Sequence, residues 1–120
     1  MHAFIIEDEQ LIARSIEDML EDLGFTSFSF ARSEDAAVFG AGGDKIDLIT
    51  ADVRLLPGDG LRAVEEICKR RKIPAIFITG YAEELEERAP GVTVIQKPIK
   101  AEELAEAVRN VMGAAYRENA

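Results

Sequence analysis

Short apolar runs alternate with segments of helical periodicity along the whole chain. Residues 2–7 form an apolar run that ends in acid, a pattern typical of a buried strand. Residues 10–23 then carry apolar side chains at helical spacing, and Gly24 follows as a helix stop. The same alternation predicts further strands over residues 26–30, 46–53, 74–79 and 92–96, further helices over residues 33–41, 61–68, 82–88 and 101–116, and a loop over residues 57–60.

Regular alternation of five strands with five helices predicts a parallel sheet that is covered by helices on both faces. Right-handed connections are expected between the strands. Five strands within 120 residues fit the flavodoxin-like strand order 2-1-3-4-5. The pattern therefore predicts a doubly wound α/β fold, and we expect residues 1–120 to form one domain.

Composition and charge narrow the class of protein. Apolar residues make up 48% and charged residues 31% of the chain, as in a soluble globular domain. A net charge of −9 disfavours direct binding to nucleic acid, because phosphates repel an acidic surface. The single cysteine, Cys68, has no partner for an internal disulfide. Because no apolar run has membrane-spanning length and no signal peptide is evident, we expect a cytoplasmic protein without a membrane partner.

Acidic residues follow two strands that are neighbours in the predicted order. The first strand ends in Glu7 and Asp8, and the third carries Asp52 near its end. Ligands of such sheets bind at the carboxyl ends of the strands, where the strand order reverses. We therefore expect the three carboxylates to converge on one crevice.

Three carboxylates in one crevice repel each other unless a cation offsets their charge. Each pair costs about 4 kcal/mol at ~4 Å if the effective dielectric constant is about 20. All-oxygen ligands favour Mg²⁺, whereas Lys97, after the fifth strand, is expected to neutralise one charge. Thr79, at the end of the fourth strand, adds a hydroxyl. This set suits a phosphoryl group on Asp52, with Lys97 and Thr79 binding its remaining oxygens.

The ordered set Glu7-Asp8, Asp52, Thr79 and Lys97-Pro98 resembles the receiver domain of bacterial two-component response regulators. The resemblance covers the whole chain. It implies that the protein takes a phosphoryl group from the phosphohistidine of a sensor histidine kinase, or from a phosphotransfer protein, and later hydrolyses it. Such a domain catalyses its own modification without being a conventional turnover enzyme.

The resemblance also assigns a role to each residue of the site. It implies that Asp52 is the phospho-acceptor, that Lys97 pairs with the phosphoryl group and that Thr79 is the switch hydroxyl. It also implies that Mg²⁺ is held by Asp8, Asp52, the backbone carbonyl of Arg54 and, through water, Glu7.

Three positions near the site depart from the family pattern or stand out from it. Val94 lies three residues before Lys97, where family receivers usually carry Tyr or Phe, so the usual aromatic switch is missing. Residues 77–81 resemble the signature of the FAT GUY type single-domain receivers and the receiver half of general stress response regulators. That resemblance implies that Tyr81 takes over part of the switch role; the alternative is a ring packed against the fifth strand. The long side chain of Arg54 is expected to slow or redirect attack by water.

The leading hypothesis is a stand-alone receiver without an output domain. It would signal through a partner surface made by the fourth helix, fifth strand and fifth helix. The alternative is a phosphorylation-independent adaptor or a phosphate sink for a sensor kinase, which the missing aromatic at Val94 allows. A flavin carrier is disfavoured because residues 7–10 are acidic and contain no glycine, and a phosphatase with paired aspartates is disfavoured because Val53 and Arg54 follow Asp52.

Overall fold

The main sheet has the predicted strand order. The computed structural model describes residues 1–43 and 45–119, with residues 114–119 described by their backbone alone. Its five strands are all parallel and lie in the order β2-β1-β3-β4-β5. This confirms the flavodoxin-like doubly wound sheet. The strands are β1 (His2–Ile6), β2 (Ser27–Ala31), β3 (Leu48–Ala51), β4 (Ala75–Thr79) and β5 (Val94–Gln96).

Five helices connect and cover these strands. Ser33 begins the second helix as its N-cap, and its hydroxyl accepts a hydrogen bond from the N–H of Ala36 at 3.1 Å. Gly113, with a φ of 59°, interrupts the last helix. Among the described residues, none of the helices combines the length and apolarity that crossing a membrane requires. The helices are α1 (Gln10–Asp22), α2 (Glu34–Gly40), α3 (Gly60–Cys68), α4 (Ala82–Arg88) and α5 (Ala101–Asn119).

Two apolar layers cover the two faces of the sheet. Phe4 and Ile6 of β1 belong to the layer that includes residues of α2, α3 and α4. Ala3 and Ile5 of the same strand belong to the layer that includes residues of α1 and α5. Because both faces are buried, β1 is a continuous apolar run, and burial of each large side chain contributes roughly 1.5–3 kcal/mol.

Several predicted boundaries were wrong around the third strand. β3 covers Leu48–Ala51 and not residues 46–53, so Asp52 stands just beyond the strand. The predicted loop over residues 57–60 is largely ordered: Arg54–Leu55 and Gly58–Asp59 pair as a small antiparallel hairpin, hereafter the hairpin, and Gly60 already belongs to α3. Burial of the Leu55 side chain fixes this segment against the core.

Candidate functional site

The three carboxylates predicted to converge lie together at the carboxyl edge of the sheet. One oxygen from each of Glu7, Asp8 and Asp52 lies within 4.8 Å of the other two. The pairing of β1 with β3 brings them together, because Ile6 lies opposite Ala51 and the chains leave the sheet at the same level. Glu7 is 3% exposed and Asp52 is 7% exposed. The crevice therefore holds two nearly buried acids and the half-buried Asp8.

Lys97 contacts two of these carboxylates. Its Nζ lies 2.8 Å from Oδ2 of Asp52 and 3.0 Å from Oε1 of Glu7. The backbone N–H of Lys97 donates to the carbonyl of Thr79 at 2.8 Å, which fixes the lysine beside the end of β4. The peptide bond between Lys97 and Pro98 is cis. One ammonium is therefore shared between two acids, whereas we expected it to neutralise one.

The electrostatics of the crevice reflect its burial. The pKa of Glu7 is raised to about 7, mainly by burial and also by the charge of Asp52, although hydrogen bonds from the Glu9 N–H and from Lys97 oppose the change. Burial also disfavours the ammonium of Lys97, but its hydrogen bonds to Asp52 and Glu7 outweigh that effect and raise its pKa. One lysine therefore leaves the negative charge of the crevice incompletely compensated.

This donor set fits a hard divalent cation. Carboxylate oxygens are the ligands that Mg²⁺ prefers, and one from each of Glu7, Asp8 and Asp52 lies close enough to the others to share an ion. The incompletely compensated charge is a second reason for a cation here, since a divalent ion offsets what Lys97 does not.

Thr79 lies at the same edge of the sheet. It ends β4 and is completely buried. Its hydroxyl oxygen accepts the N–H of Tyr81 at 3.2 Å across the turn that leads into α4. Because the hydroxyl acts there as an acceptor, its own hydrogen can be donated to a second group. Thr79 thus connects the crevice to the start of α4.

Arg54 points from the hairpin toward α4. Its backbone N–H donates a long hydrogen bond to Oδ1 of Asp52 at 3.4 Å. Its guanidinium lies 2.8 Å from Oε2 of Glu84 and 3.5 Å above the ring centroid of Tyr81. The ring of Tyr81 is half exposed beneath the arginine. The effect of Arg54 on attack by water stays a prediction.

The valine at position 94 has a packing role in the described structure. Val94 of β5 lies opposite Phe77 of β4. Its side chain is partly buried against the apolar layer that contains Phe77. The position where family receivers usually carry the aromatic switch residue is thus occupied by a partly buried aliphatic side chain that packs against the core.

The contacts between the hairpin and α4 were missed by sequence reasoning. Besides the pair of Arg54 with Glu84, Arg88 lies 2.8 Å from Oδ2 of Asp59. Glu84 stands in an acidic run, which is typical of a solvated helix face. Thirty residues separate it from Arg54, and no linear pattern connects two exposed residues at that distance.

The chain belongs to the response regulator receiver domain family, whose model matches residues 3–109. It is 41% identical over 100 residues to the phyllosphere-induced regulator PhyR of Methylorubrum extorquens, a match that covers 80% of this chain and 38% of that protein. It is 32% identical over 108 residues to the transcriptional regulatory protein PdtaR of Mycobacterium tuberculosis, covering 87% of this chain and 53% of that protein. The chain therefore spans about half or less of these relatives.

Solved structures agree with this assignment. The receiver domain of PhyR from Erythrobacter litoralis superposes with a TM-score of 0.86 and 30% identity, covering 92% of this chain and 88% of that one. The anti-anti-sigma factor PhyR from Bartonella quintana gives 0.83 and 33%, with coverages of 98% and 49%. A sensor histidine kinase receiver domain from Pseudomonas aeruginosa, solved with magnesium in its active site cleft, gives 0.82 and 28%, with coverages of 94% and 98%. The resemblance to receiver domains is confirmed.

Proposed function

We propose that Asp52 accepts a phosphoryl group from the phosphohistidine of a sensor histidine kinase or phosphotransfer protein, in a Mg²⁺-dependent reaction. The observation that carries the proposal is the placement of Asp52 among two further carboxylates, with the Nζ of Lys97 at 2.8 Å. A carboxylate nucleophile beside cations is the arrangement that phosphoryl transfer needs. Membership of the receiver family supports the same reaction.

In the proposed reaction, a carboxylate oxygen of Asp52 forms a bond to phosphorus while the phosphorus–nitrogen bond of the donor breaks. The electron pair of that bond stays on the imidazole nitrogen, which takes up a proton. Lys97 and the hydroxyl of Thr79 bind phosphoryl oxygens and stabilise the charge that moves during transfer. Hydrolysis reverses the modification: a water oxygen attacks phosphorus, the carboxylate of Asp52 leaves, and inorganic phosphate is released.

Three groups would hold the metal directly: the carboxylates of Asp8 and Asp52 and the backbone carbonyl of Arg54. Glu7 would act through water, in keeping with its hydrogen bond to Lys97. When bound, Mg²⁺ supplies positive charge that offsets the repulsion between the crevice and the incoming phosphoryl group.

The output of the proposed reaction is a phosphorylation-dependent contact with a downstream protein through the face made by α4, β5 and α5. The likeness to PhyR, which is called an anti-anti-sigma factor in Bartonella quintana and a stress response regulator in another solved structure, supports a downstream protein partner and the proposed role in the general stress response. That residues 1–120 act as a stand-alone receiver and that the protein is cytoplasmic stay predictions.

The alternative is an adaptor or phosphate sink for a sensor kinase, and Val94 is the observation that favours it. An adaptor would bind its partner equally well with and without phosphate. Against it stands the burial of Lys97 between two carboxylates, because taking such charges out of water is costly and a purely structural role does not require it.

Intact-mass spectrometry after incubation with acetyl phosphate tests the proposed reaction. We expect one acid-labile phosphoryl adduct that requires Mg²⁺ and is absent from Asp52→Asn. Asp35→Asn is the matched control, because it removes an exposed carboxylate outside the crevice. An adduct of equal yield on Asp52→Asn would contradict the assignment of the acceptor. If acetyl phosphate leaves the protein unmodified, the same assay with a phosphorylated histidine kinase decides, and a second failure favours the adaptor.

A further inference from the structure

Helix α4 is attached to the hairpin mainly through charged groups. It contains seven residues, of which Leu85 is buried, and its N-cap, Tyr81, makes no side-chain capping hydrogen bond. Arg54 contacts the first turn of the helix through Glu84, and Arg88 contacts Asp59 from its last turn. Two ion pairs therefore join α4 to the hairpin, and on the side of β5 the Gln96 side chain accepts the N–H of Ala82 at 3.1 Å.

Arg54 lies between the acidic crevice and the first turn of α4, and its side chain has a binding partner in one and the proposed phosphoryl group in the other. Its backbone N–H contacts the carboxylate of Asp52, so its side chain starts next to the proposed phosphoryl acceptor. Its guanidinium is bound outside the crevice, by Glu84 and the ring of Tyr81. Because an arginine side chain has several rotatable bonds, the same residue can serve either place but only one of them at a time.

We propose that Arg54 exchanges partners when Asp52 is phosphorylated. Its guanidinium leaves Glu84 and Tyr81 and binds the phosphoryl oxygens, which frees the first turn of α4 from the hairpin. The inference rests on the proposed function and adds to it the regulation of the same site. It also gives the chain a connection between Asp52 and α4 that does not need an aromatic residue at position 94.

The balance of charge favours this exchange. An attached phosphoryl group carries about −1.5 to −2 charges and three strong acceptor oxygens, whereas Glu84 offers one charge. The Arg54 and Glu84 side chains are 56% and 53% exposed, so water and salt screen their attraction. The crevice is more buried, and ionic hydrogen bonds are stronger there. A doubly charged group in a shielded site therefore outcompetes a single charge at the surface.

The position of the second ion pair limits the change to one end of the helix. Arg88 is bound to Asp59, which also caps α3 by accepting the N–H of Arg62 at 3.1 Å. In the described structure neither group forms a hydrogen bond or ion pair with Asp52, so phosphorylation there does not compete for this pair. We therefore expect the start of α4, with Tyr81, to loosen while its last turn stays attached through Arg88.

Hydrogen exchange of the segment that spans residues 81–89 tests the proposal in two arms. Without any ligand, Glu84→Ala removes the partner of Arg54, and we expect exchange to become about three- to tenfold faster. Glu83→Ala is the matched control, because it removes the same charge from the same helical turn and leaves Arg54 bound to Glu84. Equal exchange in the two variants would overturn the proposed attachment of α4.

The second arm adds beryllium trifluoride and Mg²⁺, because this anion mimics a phosphoryl group on a carboxylate, and fluorine NMR reports its binding. We expect exchange of residues 81–89 to rise about three- to tenfold in the wild type and in Glu83→Ala. In Arg54→Ala and Glu84→Ala, exchange is already fast and should change little. An equal rise in Arg54→Ala would overturn the exchange of partners.

The two readouts separate the inference from the function on which it rests. If the wild type gives no protein-bound fluorine signal, the proposed function fails and the inference fails with it. If the signal appears but the response of α4 is independent of Arg54, the proposed function stands and the inference alone is overturned.

Discussion

The ion pairs of the acidic crevice are mostly buried, whereas the ion pair that attaches helix α4 to the hairpin is exposed to solvent. In the crevice the Lys97 side chain is 17% exposed, and its partners Glu7 and Asp52 are almost fully buried. The pair that joins the hairpin to α4 is more than half exposed on both sides. Breaking a buried pair typically costs about 3–5 kcal/mol, whereas an exposed pair contributes about 0–1 kcal/mol. The molecule thus places a rigid site beside a loosely attached helix.

The apolar contacts of the two helices that follow the crevice show the same difference. Helix α3 buries five of its nine residues, whereas α4 buries one of seven. Segments with few buried contacts open locally at low cost, and moving parts of proteins are drawn from them. Chemistry and response therefore make different demands on the fold: the phosphoryl acceptor needs neighbours in fixed positions, whereas a responding element needs weak contacts.

The largest effect on stability is expected for Gly60→Ala, beside the crevice. A Cβ at this position would lie 1.7 Å from the backbone oxygen of Asp52, and neither backbone can move away freely. We expect a loss of about 3 kcal/mol or more in the free energy of unfolding, measured by urea denaturation. Gly80→Ala is the control, because a Cβ there meets nothing within 4 Å. Similar losses in both variants would contradict the close packing beneath Asp52.

Removal of the buried cation comes next. In the absence of divalent metal, Lys97→Met leaves Glu7 and Asp52 buried without a counter-charge, and we expect a loss of about 3 kcal/mol in the free energy of unfolding. Lys69→Met breaks the exposed pair with Glu66, whose side chains are both more than half exposed, and should cost less than about 0.5 kcal/mol. Mg²⁺ should recover part of the loss in Lys97→Met. Equal losses in the two variants would remove the contrast between buried and exposed pairs.

A smaller effect is expected for Leu85→Ala, which removes the buried side chain of α4. Truncation of a buried leucine costs about 2–5 kcal/mol, and we expect the low end of that range because a loosely attached helix can adjust. Leu56→Ala, at the exposed tip of the hairpin, should change the free energy of unfolding by less than about 0.5 kcal/mol. Thermal unfolding followed by circular dichroism measures both. A loss near 5 kcal/mol would show that α4 is as firmly packed as α3.

The smallest effect is expected for Arg88→Ala, which breaks the ion pair with Asp59. The cost should be below about 1 kcal/mol at low ionic strength, because the arginine is partly exposed. Most of the difference from the wild type should disappear in 1 M salt, since the Debye length falls to about 3 Å there. A cost that does not depend on salt would indicate that Arg88 acts through packing.

The fold and the crevice could be predicted because the positions of the strands, and of the residues that follow them, can be recognised in the sequence. Strands buried on both faces are continuous apolar runs, and the residue that follows each run must lie at the carboxyl edge. Glu7, Asp8, Asp52 and Lys97 could therefore be placed at this edge from the sequence alone. The hairpin after the third strand was missed because Leu55 is the only one of its four paired residues that is buried. A single buried residue leaves no alternating apolar pattern in the sequence.

The attachment of α4 could not be predicted for a different reason. Arg54 and Glu84 are exposed, and an exposed charge has the same linear pattern whether or not it has a partner. Their pairing depends on how the hairpin turns after Asp52, and therefore on Leu55 and on the close approach of Gly60 to the backbone of Asp52. Such contacts become visible only in three dimensions.

Asp52 as the phosphoryl acceptor is tested most directly by locating the phosphoryl group along the chain. Borohydride reduces an aspartyl phosphate to homoserine, so peptide mapping of the phosphorylated and reduced protein identifies the acceptor. We predict homoserine at the position of Asp52 and unmodified aspartate at Asp8 and Asp59. Homoserine at Asp8 or Asp59 would contradict this assignment. So would a phosphorylated protein in which all three aspartates stay unmodified.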